Sequence, residues 1–355
     1  MYASLAERLL DWAITIFLWV FRIVIILVVV VGSFLTLASG KYTGANWLKL
    51  FVDGIAQGSI YALIALGYTM VYGILRMINF AHGEIFMSGA FGALFLANAL
   101  AATGFLDANP VLGLIPVILL AMLVSAGLAL LVERVAYRPL RNAPRLVPLI
   151  SAIGASFFLQ YTFRGFFGPG IYVYPAVAPL EVTWPVLGVN IKVLNVVVIV
   201  ASVLMMLGLY AVVMRTKIGK AMRAVSEDKN TAALMGIDVN TIIIITFAIG
   251  AAMAGAAGVL YGLTFRQVYF FTGFIPGIKA FTAAVLGGIG NIPGAMLGGL
   301  FLGILESVGP TLFLDGLNVP SPNQLKDVIA FTMLVLVLVF RPSGLLGERI
   351  TAKKA

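Results

Sequence analysis

His82 is the single histidine of the chain, and Glu84 stands two positions after it in the stretch NFAHGE, Asn79 to Glu84. An imidazole near a carboxylate could bind a metal or relay a proton. At that spacing, however, the two side chains share no helix face, and no metal site is expected. The absence of cysteine removes disulfides, thiolate metal centres and a cysteine nucleophile. No H-E-x-x-H pair occurs, so no zinc-protease helix is encoded. Ile218 to Met222 holds a Gly-Lys pair without the upstream glycine and the following hydroxyl of a phosphate-cradling loop. The chain is therefore read as a non-enzyme that binds no cofactor itself.

What remains is polar residues scattered through an apolar background. Apolar residues make up 61% of the chain and charged ones 10%, with a mean hydropathy of +1.08. A soluble domain has about a quarter of its residues charged. A bilayer accepts this composition and water does not, so the expected fold is all-α: a polytopic transmembrane helical bundle. At ~20 residues per span the length suits about ten spans. The net charge of +9 raises nucleic acid as a partner. The basic residues gather in short loops between spans, which is an orientation signal instead, and no nucleic-acid partner is expected.

Taken in order, Trp12 to Ala38 is apolar with Arg22 as its one charge. It is too long for the ~7–15-residue core of a signal peptide, and is read as a retained span with Arg22 reaching toward the cytoplasm. Leu48 to Leu75 carries Gln57 and Tyr61, with Gly54 and Gly58 as a small-xxx-small pair suited to close helix packing. Gly83 to Ala101 carries Ser88, and Val111 to Val132 ends in a loop with Arg134, Arg138, Arg141 and Arg145. Val147 to Phe163 carries Ser151, Ser156 and Gln160. Gly165 to Asn190 reads as a longer loop with interfacial aromatics. Val193 to Met214 and Thr241 to Leu263 flank the polar stretch Arg215 to Asn240.

Arg266 to Lys279 reads as an aromatic connector. Ala280 to Gly309 is too long for one span and reads as two helices broken around Asn291 to Pro293. Its glycines Gly287, Gly288, Gly290, Gly294, Gly298, Gly299 and Gly303 are assigned to helix packing; backbone groups freed at the break could line a cavity. Thr311 to Gln324 reads as a polar loop, Lys326 to Phe340 as the last span and residues 342–355 as a basic tail. Ten spans place the basic loops and the tail on one face, which the positive-inside rule makes cytoplasmic, with both termini there. Eight or nine spans result if the glycine-rich region only re-enters the membrane.

Two groups of residues stand out. Gln57, Tyr61, Asn79, His82, Glu84, Ser88, Ser151 and Gln160 are polar at membrane depth, where such groups face a cavity or a partner. They are candidates for a solute path; the plain alternative for each is a helix cap or an interhelical hydrogen bond. In the polar stretch, Ile218 to Met235 reads as two short surface helices interrupted near Ser226. Ser226 is the expected N-cap, with Glu227 and Asp228 in the first turn.

Six blocks carry a resemblance: YALIALGYTMVYGILRMINFAHGE (Tyr61 to Glu84), VERVAYRPLR (Val132 to Arg141), LISAIGASFFLQ (Leu149 to Gln160), GKAMRAVSEDKNTAALMGI (Gly219 to Ile237), FAIGAAMAGAAGVL (Phe247 to Leu260) and KAFTAAVLGGIGNIPGAMLGG (Lys279 to Gly299). In order and spacing the chain resembles the membrane permease of a branched-chain amino acid ABC importer. The likeness runs from about residue 48 onward, and residues 1–45, with their extra helix, depart from the usual pattern. The resemblance implies a permease domain over 46–341, in a bacterial cytoplasmic (inner) membrane and surrounded by lipid. It also implies a second homologous permease, identical or different, two cytoplasmic ATP-binding subunits carrying ATP and Mg, and an extracytoplasmic solute-binding protein. Within the coupling segment 215–240, Gly219, Arg223, Glu227, Asp228, Ala232, Leu234 and Gly236 are the positions assigned to ATPase contact. Urea and short-chain amide permeases share the pattern and stay open as alternatives, as does a stand-alone channel or secondary transporter.

Overall fold

A computed structural model describes residues 5–347 apart from Asn142, Arg145, Leu187 and Pro342. The end of the basic tail, and Arg145 of the basic loop, lie outside the described residues. Nine described helices are long and apolar enough to cross a membrane, and a tenth apolar helix is shorter. The long ones are α1 (Leu5–Ala38), α2 (Gly44–Leu75), α3 (His82–Ala102), α4 (Pro110–Val132), α5 (Leu146–Phe167), α6 (Val193–Arg215), α9 (Val239–Phe265), α11 (Ile292–Gly309) and α12 (Lys326–Phe340), the last reaching spanning length together with the 3-10 turn Pro322–Leu325 before it. Between α6 and α9 come α7 (Lys217–Glu227) and α8 (Lys229–Leu234); the shorter apolar helix is α10 (Phe274–Gly287). The chain is an all-α polytopic bundle.

The bundle is built around α2. Thr43 caps its start, accepting from the Asn46 N–H, and Arg76 ends it in the left-handed region at φ 56°. From Gly58 to Val71 every side is covered. Such burial without a polar face needs neighbours close on all sides, and glycine supplies the clearance against α11. A Cβ on Gly303 would lie 2.2 Å from the Gly58 Cα, and one on Gly299 would lie 2.4 Å from the Ala62 Cα. Gly54 meets Ile304 in the same way. Two backbones in contact maximise dispersion where lipid supplies no hydrophobic drive.

The glycine-rich region divides into two helices, with the first starting earlier than expected. Phe274 rather than Ala280 opens α10, because Pro276 falls in the first turn, where its missing N–H costs nothing. The break is made by Gly288 and Gly290, at φ 105° and 97°, values that L side chains resist. Gly290 has open space around its Cβ position, so its role is conformational rather than packing. Gly287, Gly294 and Gly298 do bring α10 and α11 together, and a Cβ on Gly298 would lie 2.1 Å from the Ala283 carbonyl oxygen. Asn291 caps α11 by accepting from the Gly294 N–H. Two carbonyls near the break are used within the chain: those of Leu286 and Gly287 accept from the Leu345 and Leu346 N–H groups at 2.8 and 3.0 Å. Beyond α11 the expected polar loop is instead a continuation through a π turn, Pro310–Leu314, and a 3-10 turn, Asp315–Leu317.

At one end of the bundle, β1 (Tyr172–Val173) pairs with β4 (Gln267–Val268), and β2 (Thr183–Val186) with β3 (Val189–Lys192), all antiparallel. Lys41 pairs there with Asp315, and Arg266 with Glu181. Helix α1 touches the rest near its end, where Gly32 and Thr36 pack on Phe313 and Gly316. Its Arg22 guanidinium lies 5.3 Å from the rings of Trp19 and Phe340.

Candidate substrate cavity and protruding helix pair

The connector between α2 and α3 folds back into the bundle. Gly67, eight residues and ~12 Å of helix before the end of α2, packs against the His82 ring. Helix α3 therefore begins inside the thickness of the bundle, with its first turn buried. His82 stacks edge-on to Tyr68, ring centroids 4.7 Å apart, and Asn79 accepts from the Tyr137 hydroxyl at 2.7 Å. Both read as packing of the re-entrant turn.

Glu84 points the other way. The residue is 1% exposed. One oxygen, Oε1, accepts from the Gln160 amide at 2.7 Å and from the Ser156 hydroxyl at 3.4 Å, both on α5. The other, Oε2, has no hydrogen-bond partner among the described residues. Glu84 stands behind the wall of a cavity of about 290 Å³ between α3, α5 and α10, lined by Tyr68, Phe80, Ile153, Phe157, Phe274 and Ile278. That size is at the small end of ligand sites, ~300–1,000 Å³. Gly83, Gly273 and Gly277 complete the wall; a Cβ on Gly273 would come within 2.7 Å of Oε2.

The remaining candidates lie elsewhere. Ser88 donates to the Ile85 carbonyl within its own helix, and Ser151 donates to the Ala136 carbonyl. Gln57 donates to the Tyr61 hydroxyl at 2.7 Å, beside a second polar group. There Lys279 of α10 pairs with buried Glu306 of α11 and, at 2.6 Å, with Asp327 of α12. The sequence reading missed this cluster and the aromatic wall of the cavity. Lone charges within apolar runs were the available signal for the cluster.

At the end opposite the strands, α7 and α8 project as a pair. Thr216 caps α7, accepting from the Gly219 N–H. Asp228, not Ser226, caps α8. Its carboxylate accepts from the Asn230 and Thr231 N–H groups and from the Thr231 hydroxyl, whereas the Ser226 hydroxyl donates back to the Arg223 carbonyl. A carboxylate meets the positive end of a helix better than a hydroxyl does. The Thr231 hydroxyl, followed by the two N–H groups, holds the Asp228 carboxyl below the ordinary aspartate range. Glu227 is the exposed last residue of α7. Arg223 donates to the Val213 carbonyl at the end of α6, where a cation is favoured. Gly219 and Ala232 are buried against the chain's own helices. Leu234 and Met235 are 87% and 79% exposed at the tip, beside Gly236 at φ 83°. Arg76 donates to the Ser226 carbonyl, and Arg141 to Asn240. Burial, then the Arg141 and Arg76 charges, lower the pKa of Lys229.

A bundle whose described helices include nine long and apolar enough to cross a membrane, with a re-entrant connector and a polar helix pair at one end, is a multi-pass membrane protein of the permease type. The family model described as the branched-chain amino acid transport system / permease component matches residues 50–338. The high-affinity branched-chain amino acid transport system permease protein BraD of Pseudomonas aeruginosa is 46% identical over 306 residues, 85% of this chain and 96% of its own length. LivH of Escherichia coli K12 is 42% identical over 310 residues, with 85% and 96% covered. A probable LivH of Methanocaldococcus jannaschii is 27% identical over 307 residues, 84% and 92%. The chain belongs to the branched-chain amino acid transport permease family.

Proposed function

We propose that this chain is the permease subunit of an ATP-driven importer that carries branched-chain amino acids across the bacterial cytoplasmic membrane. It works with a second homologous permease, two cytoplasmic ATP-binding subunits that hold ATP and Mg, and an extracytoplasmic solute-binding protein. Both termini, α7 and α8 face the cytoplasm. The observation that carries the reading, beside the family match, is the apolar tip of the projecting pair. Leu234 and Met235 are large apolar side chains left exposed at the end of a capped helix, a surface suited to a groove on another protein. A short rigid pair at the ends of α6 and α9 passes a rigid-body push into the bundle.

The cavity beside Glu84 lies on the solute path, and the ATPase contact falls to Glu227, Leu234 and Met235, with Asp228 and Arg223 holding them in shape. Helix α1, within residues 1–45, is an addition outside the permease domain proper. The test is leucine uptake by proteoliposomes holding the complete complex and its binding protein. Uptake that requires ATP on the ATPase side is expected. Uptake by this chain alone, or a complex that moves urea or acetamide and ignores leucine, would overturn the reading.

A further inference from the structure

A second cavity, of about 350 Å³, opens beside the projecting pair. Much of its wall is basic. Arg138 and Arg141 come from the 3-10 turn Arg138–Leu140 and its cap, beyond α4, and Lys229 opens α8. Val239, Asn240 and Ile243 add the first turns of α9. Arg141 is held in place, donating to Glu133 and, at 2.6 Å, to Asn240. Arg138 and Lys229 form no ion pair among the described residues. Asp238 is occupied as the cap of α9, accepting from the Asn240 and Thr241 N–H groups and the Thr241 hydroxyl. Thr241 holds that carboxyl below the ordinary aspartate range, ahead of a smaller pull from Arg138. Gathering like charges costs free energy, and Lys229 registers it: burial, then the Arg141 and Arg76 charges, push its pKa down. Cations needed only for orientation could stay dispersed in water. Here three of them surround one opening, where an anion would relieve their repulsion.

The apolar part of the surroundings says which anion. Val239 and Ile243 line the cavity where α9 enters its apolar run. Val135 and Leu131, both exposed, stand about one and two turns before Arg138. Basic groups thus meet an apolar flank at the ends of two spans, an arrangement that takes the headgroup of an anionic lipid. The guanidinium fork matches two phosphate oxygens and the ammonium adds a point charge. We propose that Arg138, Arg141 and Lys229 bind the phosphate of an anionic phospholipid, whose chains run along Val135 and Leu131. The lipid ties the turn beyond α4 to the start of α8, and so anchors the projecting pair to the membrane surface. The site does not depend on which solute the chain carries.

The complete complex is reconstituted with phosphatidylglycerol that carries a photoactivatable group in its head, and labelled peptides are read by mass spectrometry. Label is expected on peptides holding residues 138–141 or 229–243. Unlabelled phosphatidylglycerol should compete for it, whereas phosphatidylcholine and inorganic phosphate should not. Arg138→Gln with Lys229→Gln is expected to cut the label ~10- to 30-fold, from ~5-fold per basic residue at a lipid surface. Arg134→Gln with Lys220→Gln removes two exposed cations outside the cavity and should change it by no more than about twofold, since exposed charges are screened. No label on those peptides, equal losses in the two double variants, or displacement by inorganic phosphate would each overturn the proposal. So would label that appears only once the ATP-binding subunits are stripped away, which would give the cavity to an ATPase contact. Should the Arg138 and Lys229 variant not assemble, labelling and competition in the unaltered complex decide.

Discussion

Lys279 ties four helices of the bundle together at one point. Its ammonium meets Glu306 on α11 and Asp327 on α12, and lies 5.8 Å from the centroid of the Tyr61 ring on α2. Four helices are thus pinned at one buried point. Lys279 and Glu306 side chains are 5% and 0% exposed, whereas Asp327 is 43% exposed, so the first pair carries the larger consequence. Removing one member of a buried pair leaves a charge without compensation, typically ~3–5 kcal/mol. Lys279→Met is expected to lower the thermal midpoint of the purified complex strongly. Lys279→Met with Glu306→Leu is expected to recover most of it; a double variant as unstable as the single would argue against the pair. Lone charges in apolar runs were readable in the sequence. That three of them share one point was not, because they lie on separate helices with no common periodicity.

At the scale of elements, clearance decides. Gly303 sits where α11 crosses α2 with backbones touching, while Gly127 on α4 has open space at its Cβ position. Gly303→Ala should drive the two helices apart and lower the yield of assembled complex several-fold. Gly127→Ala should be neutral or slightly stabilising, since alanine is the better helix former by ~0.5–1 kcal/mol. Fluorescence-detected size-exclusion chromatography compares them, and equal yields would refute close packing at Gly303. The small-xxx-small spacing was visible in the sequence, and so were the helices themselves, because their apolar runs are long. Boundaries were legible only where a breaker stands. The break expected around Asn291 to Pro293 falls just before it, at Gly288 to Asn291, but nothing in composition shows that Pro276 lies inside a first turn or that Asp228 outcompetes Ser226 as a cap. Those depend on which carbonyls and N–H groups fold within reach.

For the whole molecule, the polar stretch between α6 and α9 was the clearest signal in the chain, and it forms the projecting pair. The cavity was far less legible. Glu84 and Gln160 were each candidates, but they meet only because α3 starts inside the bundle, and the aromatic residues around them look like ordinary core. The central claim is that a foreign ATPase pushes on the tip of α8. The chain has no cysteine, so Leu234→Cys introduces a unique thiol into this subunit at an 87% exposed position. In the purified complex, a short bifunctional reagent should join residue 234 to an ATP-binding subunit and stop leucine uptake, with the yield changing when ATP is added. A thiol reached only from the extracytoplasmic side, or one that never joins the ATPase while uptake proceeds, would contradict the account.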